Sequence, residues 1–126
     1  STHPEKLEAI IERQGGVGTL TESKPWTSGQ KLLAQAQKEG VDVPILFADA
    51  THCSRLLFWA RATRIETTAD GTRYSFERLA RLPGRHSTQE LVLLSTGNTI
   101  APGYIRPYAL CQTPAFLTAP RRRHYV

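Results

Sequence analysis

The chain has 126 residues, of which 40% are hydrophobic, and a formal net charge of +5 at pH 7. This length fits one domain with a real hydrophobic core, and no apolar run approaches the roughly 20 residues that a membrane-spanning helix needs. No signal-peptide pattern opens the chain, so the composition predicts a cytoplasmic domain and argues against a membrane partner. We expect residues 1–120 to form that single domain.

The ends of the chain indicate a part of a larger protein. The sequence contains no methionine, even at position 1, so residues 1–3 are interpreted as remnants of cloning or cleavage. Residues 121–126 are interpreted as a basic tail or linker. Arg121–Arg123 supply three of the five net positive charges, which leaves +2 for the rest of the chain.

The first predicted helix covers Pro4–Arg13, where apolar residues share one face and glutamates lie in the early turns. It is expected to end at the glycine-rich segment 15–18. A helix stop is favoured there over a phosphate-binding loop, because the Lys-Ser/Thr pair of such a loop is missing. The polar residues 19–25 are predicted to be irregular.

The second predicted helix covers Gln30–Glu39, with Thr27 or Ser28 as its N-cap and Gly40 as its stop. Trp26 precedes the cap. Two interpretations of Trp26 stay open: a hydrophobic staple at the helix start, or the wall of a pocket that also offers the amides of Ser28 and Gly29 as donors.

Two apolar runs, Ile45–Ala50 and Leu56–Ile65, form the centre of the sequence and are predicted to be strands joined by Thr51–Arg55. Side chains alternate along a strand, so the second run should present two different faces. One face is expected to hold Phe58, Ala60 and Ala62, and the other Trp59, Arg61 and Thr63. Because a merely solvated surface seldom carries tryptophan beside arginine, the second face is the first candidate for a working surface.

The rest of the chain reads as further strands and turns. Asp70-Gly71 predicts a hairpin turn into a return strand, Thr72–Phe76, and residues 83–87 read as a loop. Residues 77–82 either extend that strand or form a helical turn, and residues 90–94 are a short strand or the end of a brief helix capped at Ser87. A turn at 95–98 precedes a last strand, Tyr104–Gln112. The expected fold class is therefore α+β, with about five strands in a small bent sheet or barrel and helices on its flank.

Catalytic and metal-binding patterns are weak. The four histidines and two cysteines show no metal-ligand spacing, so we expect no metal, no cofactor and no enzymatic activity. Asp49 is the one acid in the apolar centre and is favoured as a turn cap over a catalytic base. The alternative is a small-molecule or enzymatic pocket that uses Asp49, His52 and Cys53.

Nucleic-acid binding is better supported by composition. Seven arginines lie between residues 55 and 85 against three acids, and aromatic residues are interleaved with them. Arginine beside aromatic rings suits phosphate contacts and base stacking. Tyr104, Arg106 and Tyr108 form a second such group. The alternatives are a solvated arginine face over an aromatic core and a protein-interaction domain.

The order of a helix, PILFAD, FWARATRIE, a DG hairpin and TGNTIAPGYIRPYALC resembles the PUA-like superfamily, which includes the EVE, YTH and ASCH domains. The resemblance covers about residues 24–117, although the GxKxxExR motif of ASCH domains and the YTH aromatic cage are missing. It implies a small β-barrel that binds nucleic acid, often with a modified base flipped into a pocket, and some such domains are fused to nucleases in modification-dependent restriction enzymes.

These observations together predict a non-catalytic module that reads a modified or flipped base, in DNA rather than RNA. The base pocket is expected to comprise Trp26, Ser28, Gly29, Phe47, Asp49 and Trp59. The phosphate contacts are expected to be Arg61, Arg85, Arg106 and Tyr104.

Overall fold

The computed structural model describes residues 3–49, 52, 55–101 and 109–117. The chain forms an α+β fold with an antiparallel sheet, so the predicted class is confirmed. The elements in chain order are α1 (Pro4–Gln14), β1 (Gly18–Glu22), α2 (Thr27–Glu39), β2 (Pro44–Ala48), β3 (Arg55–Thr68), β4 (Gly71–Ser87) and a 3-10 turn (Thr88–Glu90). Neither α1 nor α2 is long and apolar enough to cross a membrane.

The sheet has the strand order β1-β4-β3-β2. Within the described ranges it has four strands instead of about five, and it is an open sheet, not a closed barrel. The expected last strand, Tyr104–Gln112, lies mostly outside the described residues. Residues 109–112 contribute a bridge between Cys111 and Leu93, and no longer strand.

A long hairpin of β3 and β4 forms the middle of the sheet. Its turn lies at Asp70-Gly71, as predicted, with Thr68 paired to Gly71. Gly71 has φ 140, and a Cβ at this position would collide with the carbonyl oxygen of Glu22. Glycine is therefore required where the hairpin turn meets the end of β1.

Two strand predictions were wrong. Residues 19–22 were expected to be irregular, but they belong to the edge strand β1, which pairs with residues 72–76 of β4. Residues 83–87 were expected to be a loop, but they continue β4, whose pairing with β3 shifts register between Leu56 and Phe58. Such irregularities let Pro83 and Gly84 be accommodated in a strand.

The helix ends follow the glycines, as expected. Gly15 and Gly40 adopt left-handed conformations, with φ 64 and φ 71, and end α1 and α2. Helix α2 begins earlier than predicted, because its N-cap is Trp26 and not Thr27 or Ser28. The Trp26 amide donates a 2.7 Å hydrogen bond to the Thr72 hydroxyl oxygen, which ties the start of α2 to the start of β4.

Two hydrophobic clusters lie on opposite faces of the sheet, since neighbouring β3 residues Phe58 and Trp59 belong to different clusters. We call them the inner and the outer cluster. The inner cluster, which includes residues of α1, comprises Leu7, Ile10, Leu20, Trp26, Phe47, Phe58, Ala60, Tyr74, Phe76 and Leu79. The outer cluster comprises Leu56, Leu82, Leu91, Ile100 and Leu117, with Leu46, Ala48, Trp59, Leu93, Ala109, Cys111 and Phe116 packed against it.

The outer cluster is covered by the chain that follows β4. Ser87 caps the 3-10 turn, as one of the two predictions for this segment required, and Glu90 completes a capping box with the Ser87 amide. The Leu94 amide donates to the Leu110 carbonyl oxygen at 3.0 Å, and Gln112 donates to Val92 at 2.8 Å. These bonds hold residues 109–112 beside residues 92–94.

Candidate nucleic-acid interface

Trp59 lies on the face of β3 that the sequence singled out. The buried residues of this strand are Leu56, Phe58, Ala60 and Ala62, while Trp59 and Arg61 are partly exposed. Trp59 pairs with Leu46 of β2 and Ala80 of β4 and packs against the outer cluster. The predicted alternation is confirmed, and the tryptophan combines a packed side with partial access to solvent.

Trp26 lies on the other face. Its side chain is 8% exposed, and its ring stacks on Tyr74 with 4.5 Å between centroids. Phe47 is 4% exposed in the same inner cluster and meets Phe76 edge to face. The structure therefore brings Trp26 and Phe47 together as core residues, and the sheet separates Trp26 from Trp59, so the two tryptophans do not form the walls of one pocket.

The polar members of the expected pocket lie at opposite ends of the sheet. Ser28 is exposed and Gly29 buried in the first turn of α2, where the next residue, Gln30, accepts a 2.7 Å hydrogen bond from the Thr67 hydroxyl. Asp49 donates its amide to the Arg55 carbonyl oxygen at 2.9 Å. Twelve residues of β3 separate Arg55 from Thr67, which is roughly 35–40 Å of extended strand. The structure therefore does not bring Ser28 and Asp49 together.

Arg61, which the sequence predicted to contact a phosphate, has two carboxylate partners within the protein. Its guanidinium contacts the Glu77 carboxylate and lies 3.3 Å from the Asp42 carboxylate. The side chain is 31% exposed, so water screens these pairs less than on an open surface. Two carboxylates therefore lie at one guanidinium, and the assignment of Arg61 to a phosphate stays a prediction.

Two further arginines of the 55–85 segment are also paired. The Arg64 Nε lies 3.0 Å from the Glu66 carboxylate on the exposed surface. Arg81 contacts the Glu8 carboxylate of α1 and lies over the Phe58 ring, 5.0 Å from its centroid. Arg81 therefore joins α1 to the sheet through charge and through a cation–π contact.

Four of the seven arginines between residues 55 and 85 are exposed and form no ion pair within the described part of the chain: Arg55, Arg73, Arg78 and Arg85. We call them the open arginines. Arg55 begins β3, and the other three follow one another along β4. Arg73 faces Glu66 across the hairpin, but that carboxylate pairs with Arg64. Of the residues predicted for phosphate, Arg85 belongs to this set, whereas Arg106 and Tyr104 lie outside the described residues.

Arg78 has an unusual backbone. Its φ of 59 makes it the one non-glycine residue with a positive φ in the described ranges. The pairing of β4 with β3 steps from Ala80 opposite Trp59 to Glu77 opposite Arg61, so β4 has one extra residue here. A left-handed conformation costs an arginine roughly 1–2 kcal/mol relative to its ordinary conformations.

The glycine-rich segment after α1 does not cradle a phosphate. The Gly15 and Gly16 amides both donate to the Ile10 carbonyl oxygen, and Val17 donates to Gln14 at 3.2 Å. These amides close the helix end, as the favoured interpretation of the sequence expected. Gly16 also lies against β4, because a Cβ on it would come within 2.9 Å of the Leu79 amide nitrogen.

The alternative pocket is described only in part. The His52 amide donates to the Asp49 carbonyl oxygen at 3.2 Å in the β2–β3 connection, which places these residues in one turn, and Cys53 lies outside the described residues. No group of three metal-binding side chains occurs in the ranges described. Burial raises the pKa of the Cys111 thiol, as expected for a structural cysteine.

A histidine and a phenylalanine are in contact at the C-terminal end of β4. The rings of His86 and Phe116 stack with 3.8 Å between centroids and 14° between planes. The His86 Nδ1 lies 3.2 Å from a Glu90 carboxylate oxygen, and the other oxygen of Glu90 accepts the Ser87 amide at 2.6 Å. The Ser87 amide and His86 hold the pKa of Glu90 below its ordinary value.

No family model, curated protein or solved structure matches the chain. The sequence analysis counted all seven arginines of the 55–85 segment toward a phosphate-binding surface, but it named only Arg61 and Arg85 among them as phosphate contacts. Local charge balance could not separate paired from open arginines, since Arg61 finds its acids 16 and 19 residues away.

Proposed function

We propose that the chain is a non-catalytic nucleic-acid-binding module whose phosphate contacts are the open arginines of β3 and β4. The observation that supports this most directly is the division of the seven arginines between residues 55 and 85. Three have carboxylate partners, and the other four are exposed without one in the described part of the chain. Unpaired guanidinium groups are the side chains best suited to bind phosphate oxygens in pairs.

The spacing of these arginines favours a polymer over a small anion. Arg73 and Arg85 are twelve residues apart on one strand, which is roughly 40 Å if fully extended and less at the irregularities. A nucleotide-sized ligand would need convergent charges, as small-molecule sites are concave and compact. A polyanion can contact widely spaced arginines in succession.

The finer parts of the proposal are base reading, a preference for DNA and membership of the PUA-like superfamily. Within it, Trp59 is the tryptophan that would stack on a base, because Trp26 is covered by Tyr74. Trp59 lies two residues before Arg61 on β3. Because Arg61 is paired with Asp42 and Glu77, its role in the proposal is to position the strand. A modified or flipped base would therefore be met on the outer side of the sheet.

The test is fluorescence anisotropy with plain and modified DNA and with RNA, each at two salt concentrations. Replacement of all four open arginines by glutamine should reduce the slope of log K against log salt by about 3–4 for duplex DNA, since each phosphate contact contributes about 0.9. A preference for modified DNA that survives high salt and is lost in Trp59→Ala would support base reading.

The chain offers a matched control. Lys6, Lys24, Lys31 and Lys38 are exposed, and their replacement by glutamine removes the same four charges from α1, α2 and the segment before α2. The lysine variant should keep most of the salt slope. An equal loss of salt slope in the two variants would mean that binding depends on net charge alone and not on the open arginines. An absence of binding by the unmodified chain would overturn the proposal.

A further inference from the structure

The backbone at Arg78 is strained, and no polar or ring contact of its side chain with the described residues explains why arginine occupies the position. Left-handed backbone favours glycine or asparagine, whose side chains avoid the clash that a longer side chain meets. Arg78 is exposed, and within the described residues its side chain has no hydrogen bond, ion pair or ring contact. The fold alone would be served better by a smaller residue.

The surrounding packing holds Arg78 in this conformation. The Leu79 amide donates to the Gly16 carbonyl oxygen at 3.0 Å, and Gly16, with φ 80, lies directly against the backbone of residues 78 and 79. The extra residue in β4 lies between Glu77, which contacts Arg61, and Leu79, which is buried in the inner cluster. With both neighbours fixed, the bulge directs Arg78 away from the core.

We infer that Arg78 is the anchoring phosphate contact of the nucleic-acid surface, and this inference rests on the proposed function. A strained position that persists against a better-suited residue is characteristic of binding and catalytic sites. Arg78 also lies between Arg73 and Arg85 in the residue order of β4. A guanidinium held by a rigid bulge loses less freedom on binding than one on a mobile segment.

One structural role for Arg78 competes with this inference. Gly16 follows the C-terminal end of α1, where carbonyl groups favour a nearby cation. Arg13 already occupies the last turn of α1. If Arg78 served the helix dipole, its removal would lower stability, whereas a ligand contact should be removable without a loss of stability.

The experiment combines thermal unfolding with DNA binding for matched substitutions. Arg78→Gly should leave the melting temperature unchanged or raise it, because glycine relieves the left-handed strain. Arg73→Gly, at an ordinary strand position, should lower it. In binding, Arg78→Gln should weaken affinity about tenfold, in line with the loss of a charge-assisted contact. It should also lower the salt slope by about 1.

The outcomes separate the inference from the proposed function. Suppose that the unmodified chain binds DNA, and that Arg73→Gln and Arg85→Gln each weaken binding as much as Arg78→Gln does. The proposed nucleic-acid surface would then be supported, but the special role of Arg78 would be refuted. A lower melting temperature in Arg78→Gly with unchanged affinity would assign Arg78 to the helix dipole. If the unmodified chain binds no nucleic acid, the inference about Arg78 and the proposed function are both refuted.

Discussion

The inner and outer clusters lie on the two faces of one sheet, yet they are built from segments of different secondary structure. The inner cluster joins regular strands to α1 and to the start of α2, and it contains the most completely buried large side chains, Leu7, Phe58 and Phe76. Among the described residues, the outer cluster has five buried members, and three of them come from the segment after β4, whose described residues pair only through isolated bridges.

This difference separates stability from binding. Aromatic residues of the inner cluster, including Trp26 and Phe47, are buried in the protein core, with 8% and 4% of their surface exposed. On the outer side, Trp59 is partly exposed beside the charged residues Arg61 and Glu77. We therefore expect mutations of the inner cluster to act through folding, and mutations on the outer side to divide between folding and binding.

The largest expected effect compares the same substitution on the two faces. Phe76→Ala should lower the free energy of unfolding by about 3–5 kcal/mol, because Phe76 is 1% exposed and packs against Phe47 and Tyr74. Phe116→Ala should cost less than half as much, because Phe116 is partly exposed and its main ring partner is His86. Urea unfolding followed by circular dichroism measures both. Equal losses would show that the two clusters contribute alike.

A smaller effect is expected in the pH dependence of stability, through Glu90 on the outer side of the sheet. The Ser87 amide and His86 favour the ionised Glu90 in the folded protein, so its pKa is lowered from the ordinary value of 4.5. Its stabilising contribution is therefore complete above that value and is lost as the pH falls through the folded pKa. Glu90→Gln should reduce the unfolding free energy at pH 7 by less than about 1 kcal/mol, because the exposed carboxylate is screened by water.

The stability difference between Glu90→Gln and the unmodified chain should shrink as the pH falls below 4.5. Glu66→Gln is the control, because Glu66 has its ion pair on the open surface with Arg64. A difference for Glu90→Gln that is constant from pH 7 to pH 3 would contradict the account of its capping role.

Local signals in the sequence predicted much of the fold. The alternation in β3, the Asp70-Gly71 turn and the stops at Gly15 and Gly40 all reflect interactions within a few residues. The edge strand β1 was missed because its one buried side chain, Leu20, is surrounded by threonines and a glutamate. Its strand conformation comes from pairing with β4, more than 50 residues later.

The site was less predictable, because it depends on which face and which end of the sheet each residue occupies. Trp26 and Trp59 carry similar signals in the sequence, but the first is stacked on Tyr74 and the second is on the outer side. The pairing of Arg61 with Asp42 and Glu77, and the left-handed backbone of Arg78, arise from the register between strands. Composition alone shows neither.

The most direct test of the central claim is amide chemical-shift mapping by NMR during titration with a short DNA duplex. The open arginines should give the largest shift changes, at Arg55, Arg73, Arg78 and Arg85, while the amides of Leu7 and Ile10 in α1 stay unchanged. Changes confined to Thr27–Gly29 would instead place binding at the start of α2. That result, or no change at all, would contradict an interface on β3 and β4.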